Sequence, residues 1–209
     1  MGNPGSFGYN PDFLKLVPGS EIGAATYVAL SHCWGKSNEV PPHCTTRGNI
    51  SDRQVEFSIA DLPLTFRDAV KVARSLKVQY LWIDSLCIIQ GDDEDWKEES
   101  KRMEDVYTSA YCTIAATRAV DSNAGFLKRD IRSEYVCVQD HLGRPVYVCT
   151  CPADFDEEVE RALLNSRAWV MQERFLSRRT IHFGANQMYW ECGEGVYCED
   201  LTQLKRYEL

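Results

Sequence analysis

Apolar positions along the chain follow two different periods. Tyr27-Val28-Ala29-Leu30, Tyr80-Leu81-Trp82-Ile83 and Tyr111-Cys112-Thr113-Ile114-Ala115-Ala116 are short apolar runs bounded by polar or turn residues. Runs of that kind are strands buried on both faces. Between the first two, Phe66, Val70, Ala73 and Leu76 recur at helical spacing behind Pro63, and Thr65 with Asp68 has the spacing of a capping box. Between the second and third, Trp96, Met103, Val106, Tyr107 and Ala110 form another helical face. The Asp92-Asp93-Glu94-Asp95 run ahead of it puts negative charge where a helix N-terminus attracts it; a cation site is the alternative. Strand, helix, strand, helix, strand predicts an α/β domain with a largely parallel sheet and right-handed crossovers. Ligands then bind beyond the carboxyl ends of the strands, here Ser31 to Gly35, Asp84 to Cys87 and Thr117 onwards.

The remaining segments are less periodic. Residues 1–22, rich in Gly and Pro, read as an irregular lead-in, and residues 23–209 as one domain. The polar stretch Lys36 to Asp61 is long for a connection, which points to a site-shaping excursion. Tyr135-Val-Cys-Val and Pro145-Val-Tyr-Val-Cys flank Asp140-His-Leu-Gly143 as a hairpin would. Asp156 to Leu164 reads as helical, and Ser166 is placed to cap a second helix carrying Trp169 and Glu173. Thr180 to Phe183 and Met188 to Cys192 suggest a closing pair of strands.

Composition narrows the function classes. Of 209 residues, 44% are hydrophobic and 26% charged, enough apolar material for a full core, which excludes a disordered chain. The net charge of −8, with no basic stripe, argues against nucleic acid as a partner. No apolar run is long enough to span a membrane, and no secretory h-region is present. Gly2 with Ser6 fits a myristoylation pattern, though the same residues suit a cloning remnant. Nine cysteines without a secretory signal read as reduced thiols in a cytoplasmic protein. Asn49-Ile50-Ser51 is then irrelevant as a glycosylation sequon.

Four segments carry a resemblance: Ala29-Leu-Ser-His-Cys-Trp-Gly35, Leu62-Pro-Leu-Thr-Phe-Arg-Asp-Ala69, Tyr80-Leu-Trp-Ile-Asp-Ser-Leu-Cys-Ile-Ile-Gln90 and Ser166-Arg-Ala-Trp-Val-Met-Gln-Glu173. Together, and in this order from about Tyr27 to Glu173, they resemble the fungal heterokaryon incompatibility (HET) domain. That family is distantly similar to TIR domains, which implies a flavodoxin-like core with helices on the sheet and a role in triggering programmed cell death. Some TIR domains cleave NAD with a glutamate four residues after a tryptophan, and Trp169-Val-Met-Gln-Glu173 has that spacing. His32 stands where the family more often has Tyr. Members usually continue beyond the domain, so a fragment of a longer protein is expected. NAD would be a consumed substrate, with no resident cofactor, and the expected partners are further copies of the chain and an upstream sensor.

Glu173 is the candidate catalytic residue. At helical spacing Trp169, Glu173 and Leu176 share a side, and a carboxylate between two apolar neighbours must be paired, protonated or used. An ion pair with Arg67 or Arg167 is the competing reading. The expected substrate contacts are Ser31, Cys33, Trp34, Gly35, Asp84, Cys87, Arg167 and Trp169. Gly35 would allow close backbone approach, Ser31 would donate to a ribose or phosphate oxygen, and Trp169 would wall the ligand. Asp84 would orient a ligand hydroxyl or cap its own turn. Arg174, Arg178 and Arg179 suit a helix C-terminus or a pyrophosphate. A Cys33 nucleophile would need a base from elsewhere, such as His182, because His32 and Cys33 point to opposite faces of an extended strand. Cys149, Cys151, Cys192 and Cys198 lack the paired spacing of a zinc knuckle, so no metal is expected.

Overall fold

The structure, a computed structural model, describes residues 11–36, 40–129, 135–149 and 155–204. The lead-in is not irregular throughout. Strand β1 (Phe13–Leu14) and a one-turn helix α1 (Gly19–Ile22) precede β2 (Tyr27–Ser31). The polar excursion that follows contains α2 (Ile50–Val55) and β3 (Phe57–Ser58), and β3 pairs with β1. Next come α3 (Leu64–Ser75), β4 (Tyr80–Trp82), a short α4 (Asp84–Cys87), α5 (Asp93–Ser109) and β5 (Thr113–Ala115). Strands β6 (Tyr135–Gln139) and β7 (Pro145–Cys149) form the expected hairpin, with Gly143 at φ +76° in its turn. Helix α6 (Ala168–Leu176) leads into β8 (Arg179–Phe183), β9 (Met188–Cys192), β10 (Gly195–Cys198) and β11 (Gln203–Leu204).

The main sheet has seven strands in the order β11-β10-β9-β8-β5-β2-β4. Pairs β2–β4, β2–β5 and β5–β8 are parallel, whereas β8–β9, β9–β10 and β10–β11 are antiparallel. The sheet is therefore mixed rather than largely parallel. The C-terminal strands extend the same sheet because short turns after β8 leave no helix to carry the chain back in parallel.

Alternation along β2 sorts the two layers. Val28 and Leu30 pack with Phe66, Ala69 and Ala73 of α3, whereas Ala29 packs with Tyr107 and Ala110 on the α5 side. Cys33 continues that second face, against Ala115, Leu164 and Val170. Helices on opposite faces thus bury one strand from both sides, which is why β2 reads as an unbroken apolar run.

The expected capping box works differently. Pro63, not Thr65, is the N-cap of α3, and Thr65 lies inside the helix. Its Oγ1 donates to the Asp121 carbonyl and accepts from Gly125 N, while Asp68 Oδ2 accepts from Phe126 N and Leu127 N at 3.0 and 3.1 Å. The two residues pin the 121–127 loop onto α3. Asp68→Ala leaves two N–H groups without an acceptor and is expected to cost about 2 kcal/mol in urea unfolding. An unchanged midpoint would show that water replaces the carboxylate. The acidic run does open α5 as expected, and Asp92 caps it, accepting from Glu94 N and Asp95 N.

Candidate functional site

Helix α6 runs back across the sheet from the carboxyl end of β2 to the start of β5. At its beginning Arg167 Nη1 donates to the His32 carbonyl, and at its end Ser177 Oγ lies 2.6 Å from Thr113 Oγ1. Arg167, rather than Ser166, is the N-cap; Ser166 Oγ donates to the Leu163 carbonyl instead. Val170 and Glu173 face inward, three residues apart on one side of the helix.

Glu173 is 6% exposed, and its Oε2 has no hydrogen-bond partner. No Lys, Arg or His nitrogen lies within ion-pair distance of it among the described residues, so neither Arg67 nor Arg167 locks it. Burial pushes its carboxyl up to about 7, and the Asp84 charge adds to the rise. The Ser31 hydroxyl, the Arg167 charge and the Tyr107 hydroxyl pull the other way. Those two hydroxyls are weakly committed: Ser31 Oγ meets no partner with hydrogen-bond geometry, and Tyr107 reaches only the Leu30 carbonyl at 3.4 Å. Glu173, Ser31 and Tyr107 thus form a buried polar group with unused hydrogen-bonding capacity, which is costly to maintain.

A second polar cluster lies on the α3 side of β2. Trp34 Nε1 donates to Asp84 Oδ2 at 2.8 Å, and Asp84 Oδ1 accepts from Ser85 N. His32 Nδ1 lies 3.8 Å from Asp84 Oδ1, its ring is edge-on to Phe66, and its Nε2 has no partner. Burial lowers His32 to about 4, against the pull of Asp84 and with help from Arg167 and His43, so the ring is neutral at physiological pH. A neutral aromatic edge at this position is what a tyrosine would also supply.

The expected contact residues divide accordingly. Ser31 stands beside Glu173; Cys33 packs under Val170; Arg167 ties the helix start to β2. Trp34 and Asp84 bind each other at the strand crest. Gly35 has φ +92°, and a Cβ there would meet Asp121 Cβ at 2.9 Å, so its close neighbour is the chain itself. Cys87 lies away from Glu173, lining a groove at the outer edge of β4. Trp169 is 51% exposed and turns outward, because Val170 and Glu173 already occupy the sheet-facing side. Tyr107 and the buried His32 were not legible as parts of the site, since each sits in an apolar pattern that reads as core.

Two other charged candidates, Arg174 and His182, are engaged by carboxylates, Arg179 lies over the Tyr111 ring, and Arg178 is exposed. Arg174 binds Glu191 and Glu160 with its whole guanidinium, which leaves no fork for a pyrophosphate. His182 Nε2 lies 2.9 Å from Glu191 Oε2. Although burial alone would raise Glu191, His182 and Arg174 hold it at about 2. Burial pushes the Cys44 and Cys112 thiols up to about 11 and Cys87 to about 12, and raises Cys33 as well. A thiolate nucleophile is disfavoured at each. In the folded protein these four are expected to react with a disulfide reagent at least tenfold more slowly than exposed Cys137; equal rates would contradict the burial. Cys151 lies outside the described residues.

A cavity of about 10 Å³, room for one water, adjoins Ser31, Val170 and His182 and does not reach Glu173. A nucleotide-sized cavity, about 1040 Å³, lies instead along β4 and is not lined by Glu173.

Comparison with known proteins follows the same segment. A family model described as Heterokaryon incompatibility protein (HET) matches residues 27–173. Over 94 residues the chain is 30% identical to heterokaryon incompatibility protein 6, OR allele, of Neurospora crassa, a match covering 43% of this chain and 14% of that protein. No solved structure matches significantly.

Proposed function

The chain belongs to the heterokaryon incompatibility family, and from that membership we propose that it acts in incompatibility cell death by cleaving NAD at the nicotinamide–ribose bond, with Glu173 as the catalytic carboxylate. The observation that carries this reading is the buried Glu173 Oε2 without a partner, beside two underused hydroxyls. The four parallel strands lend support: in chain order they lie second, first, third, fourth, as in doubly wound flavodoxin-like sheets. Strand order reverses at β2, the strand that carries Ser31.

The chemistry needs one carboxylate. The C1′–N bond breaks with its electron pair leaving on neutral nicotinamide, so no general acid is required. Positive charge builds on the ribose, and an ionised Glu173 stabilises it and orients the ribose hydroxyls. Water then adds at C1′ and gives its proton to the carboxylate or to solvent, leaving ADP-ribose. Access requires α6 to shift from β2, since Glu173 is buried between them. Self-association fits that requirement, because Met171 and Phe175 on the outer face of α6 are 73% and 88% exposed.

Incubating the assembled protein with NAD and measuring free nicotinamide tests the reading. Release by wild type and none above background by Glu173→Ala is expected; equal release by both removes Glu173 from the mechanism. The burial of Glu173 and the exposed apolar face of α6 also favour a second reading, a death-signalling module that acts by assembly alone. In that case Glu173→Gln kills as well as wild type and cellular NAD stays constant until membranes fail.

A further inference from the structure

Strand β4 is the outermost parallel strand of the main sheet. Its backbone bonds only to β2 among the described residues, so one side of it presents open N–H and C=O groups. That side floors the groove of about 1040 Å³. Edge strands in folded proteins are commonly blunted by shortness, by charged residues or proline, by a bulge or by a covering segment. Tyr80-Leu81-Trp82 is short, but it carries no charge, proline or bulge, and all three side chains are half-buried at the groove floor.

The chain's own lead-in, Leu14 to Gly23, lines part of the groove, and its two helical walls differ in charge. From α3 come Val70 and Ala73, with Arg74, which also donates to the Pro11 carbonyl, and Lys77 just beyond the helix at the rim. From α5, on the opposite face of the sheet, come Val106 and the acidic Glu99 and Asp105. Arg102 also lies on that wall, where Glu98 and Glu99 engage it. A second copy of this chain is a poor occupant. Symmetric edge-to-edge pairing runs two β4 strands antiparallel about an axis normal to the sheet. It places α3 beside α3 and α5 beside α5, so like charges meet along both rims.

We propose that the β4 groove receives an extended segment of a partner polypeptide, which adds to the sheet as a further strand. Its backbone pairs with β4, its central side chains are apolar, and its flanking side chains are acidic toward α3 and basic toward α5. Strand addition takes affinity from main-chain bonds and specificity from alternate side chains. The inference is independent of the chemistry at Glu173.

A labelled, end-capped peptide Glu-Lys-Val-Leu-Val-Leu-Glu-Lys is the probe, read by fluorescence anisotropy and by amide exchange at Tyr80, Leu81 and Trp82. Saturable binding is expected, with at least about tenfold slower exchange at the outward-facing β4 amides. N-methylation of alternate peptide residues is expected to weaken binding at least about tenfold, because it removes the main-chain donors. The pair Lys77→Glu with Asp105→Lys, both on exposed rims, is expected to weaken it while leaving the fold intact. Three results overturn the proposal: no binding to wild type, binding that survives N-methylation with β4 exchange unchanged, or β4 amides that slow with protein concentration in the absence of peptide. The last would make a second copy the occupant.

Discussion

Glu173→Gln is expected to stabilise the fold by up to roughly 3 kcal/mol at about pH 8 and to change how stability depends on pH. The carboxyl rises from 4.5 to about 7 on folding, chiefly through burial. Between those values the native state keeps a proton that the unfolded chain has lost, so stability falls as pH rises, and the whole penalty is present above about 7. His32 acts in the opposite direction. Its ring drops from 6.5 to about 4 on folding, also chiefly through burial. Between those values the unfolded chain holds a proton that the native state refuses, so stability rises with pH. His182, lowered by burial, has the same sign. Wild type should therefore show opposing contributions from about pH 4.5 to 6.5, where the Glu173 and His32 effects nearly offset. The glutamine variant should show the rise alone. Urea unfolding at several pH values checks this; a variant less stable than wild type at about pH 8, with an unchanged pH profile, would mean that Glu173 is not a strained buried acid.

The second large effect is on activity. Removing one preorganised group that faces developing charge typically costs about 10²–10³ in rate, and Glu173→Ala is expected to lose at least that much nicotinamide release. Only the ionised carboxylate can face a cationic ribose, so wild-type kcat/KM, which reports the free protein, should rise with pH through about 7. Tyr107→Phe and Ser31→Ala each remove a hydroxyl that lowers the Glu173 pKa, so both should move that rise to higher pH. A profile that stays in place in both variants would separate these hydroxyls from the carboxyl.

How much of this was legible follows from what a single sequence encodes. Buried strands β2 and β5 were visible because both their faces are covered, which leaves an apolar run with no polar alternation; β4 reads the same way although its side chains are only half-buried. The acidic start of α5 was legible for a local reason, the attraction of charge to a helix N-terminus. Pairing partners were not. Nothing in Thr180 to Phe183 says that it lies parallel to β5 while its successor lies antiparallel to it, and so the mixed character of the sheet emerged only with the fold. Thr65 and Asp68 misled because their true partners, Asp121 and residues 125–127, are more than fifty positions away. Glu173 could be singled out, since an acid in an apolar stretch of helix is conspicuous. Tyr107 could not, because a tyrosine on a helical face reads as core whether or not its hydroxyl meets a carboxyl. Trp169 was expected inside because it lies one helical turn from Glu173, yet turn spacing alone does not say where the buried stripe of a short helix ends.

The most direct measurement is a titration of the Glu173 side-chain carboxyl by carbon-detected NMR, with and without a non-hydrolysable NAD analogue. Expected is a carboxyl that titrates near 7 alone and falls when the analogue binds, as the ionised form meets the ribose. A carboxyl that titrates near 4.5 in both samples, with no response to the analogue, would contradict both the burial of Glu173 and its part in cleaving NAD.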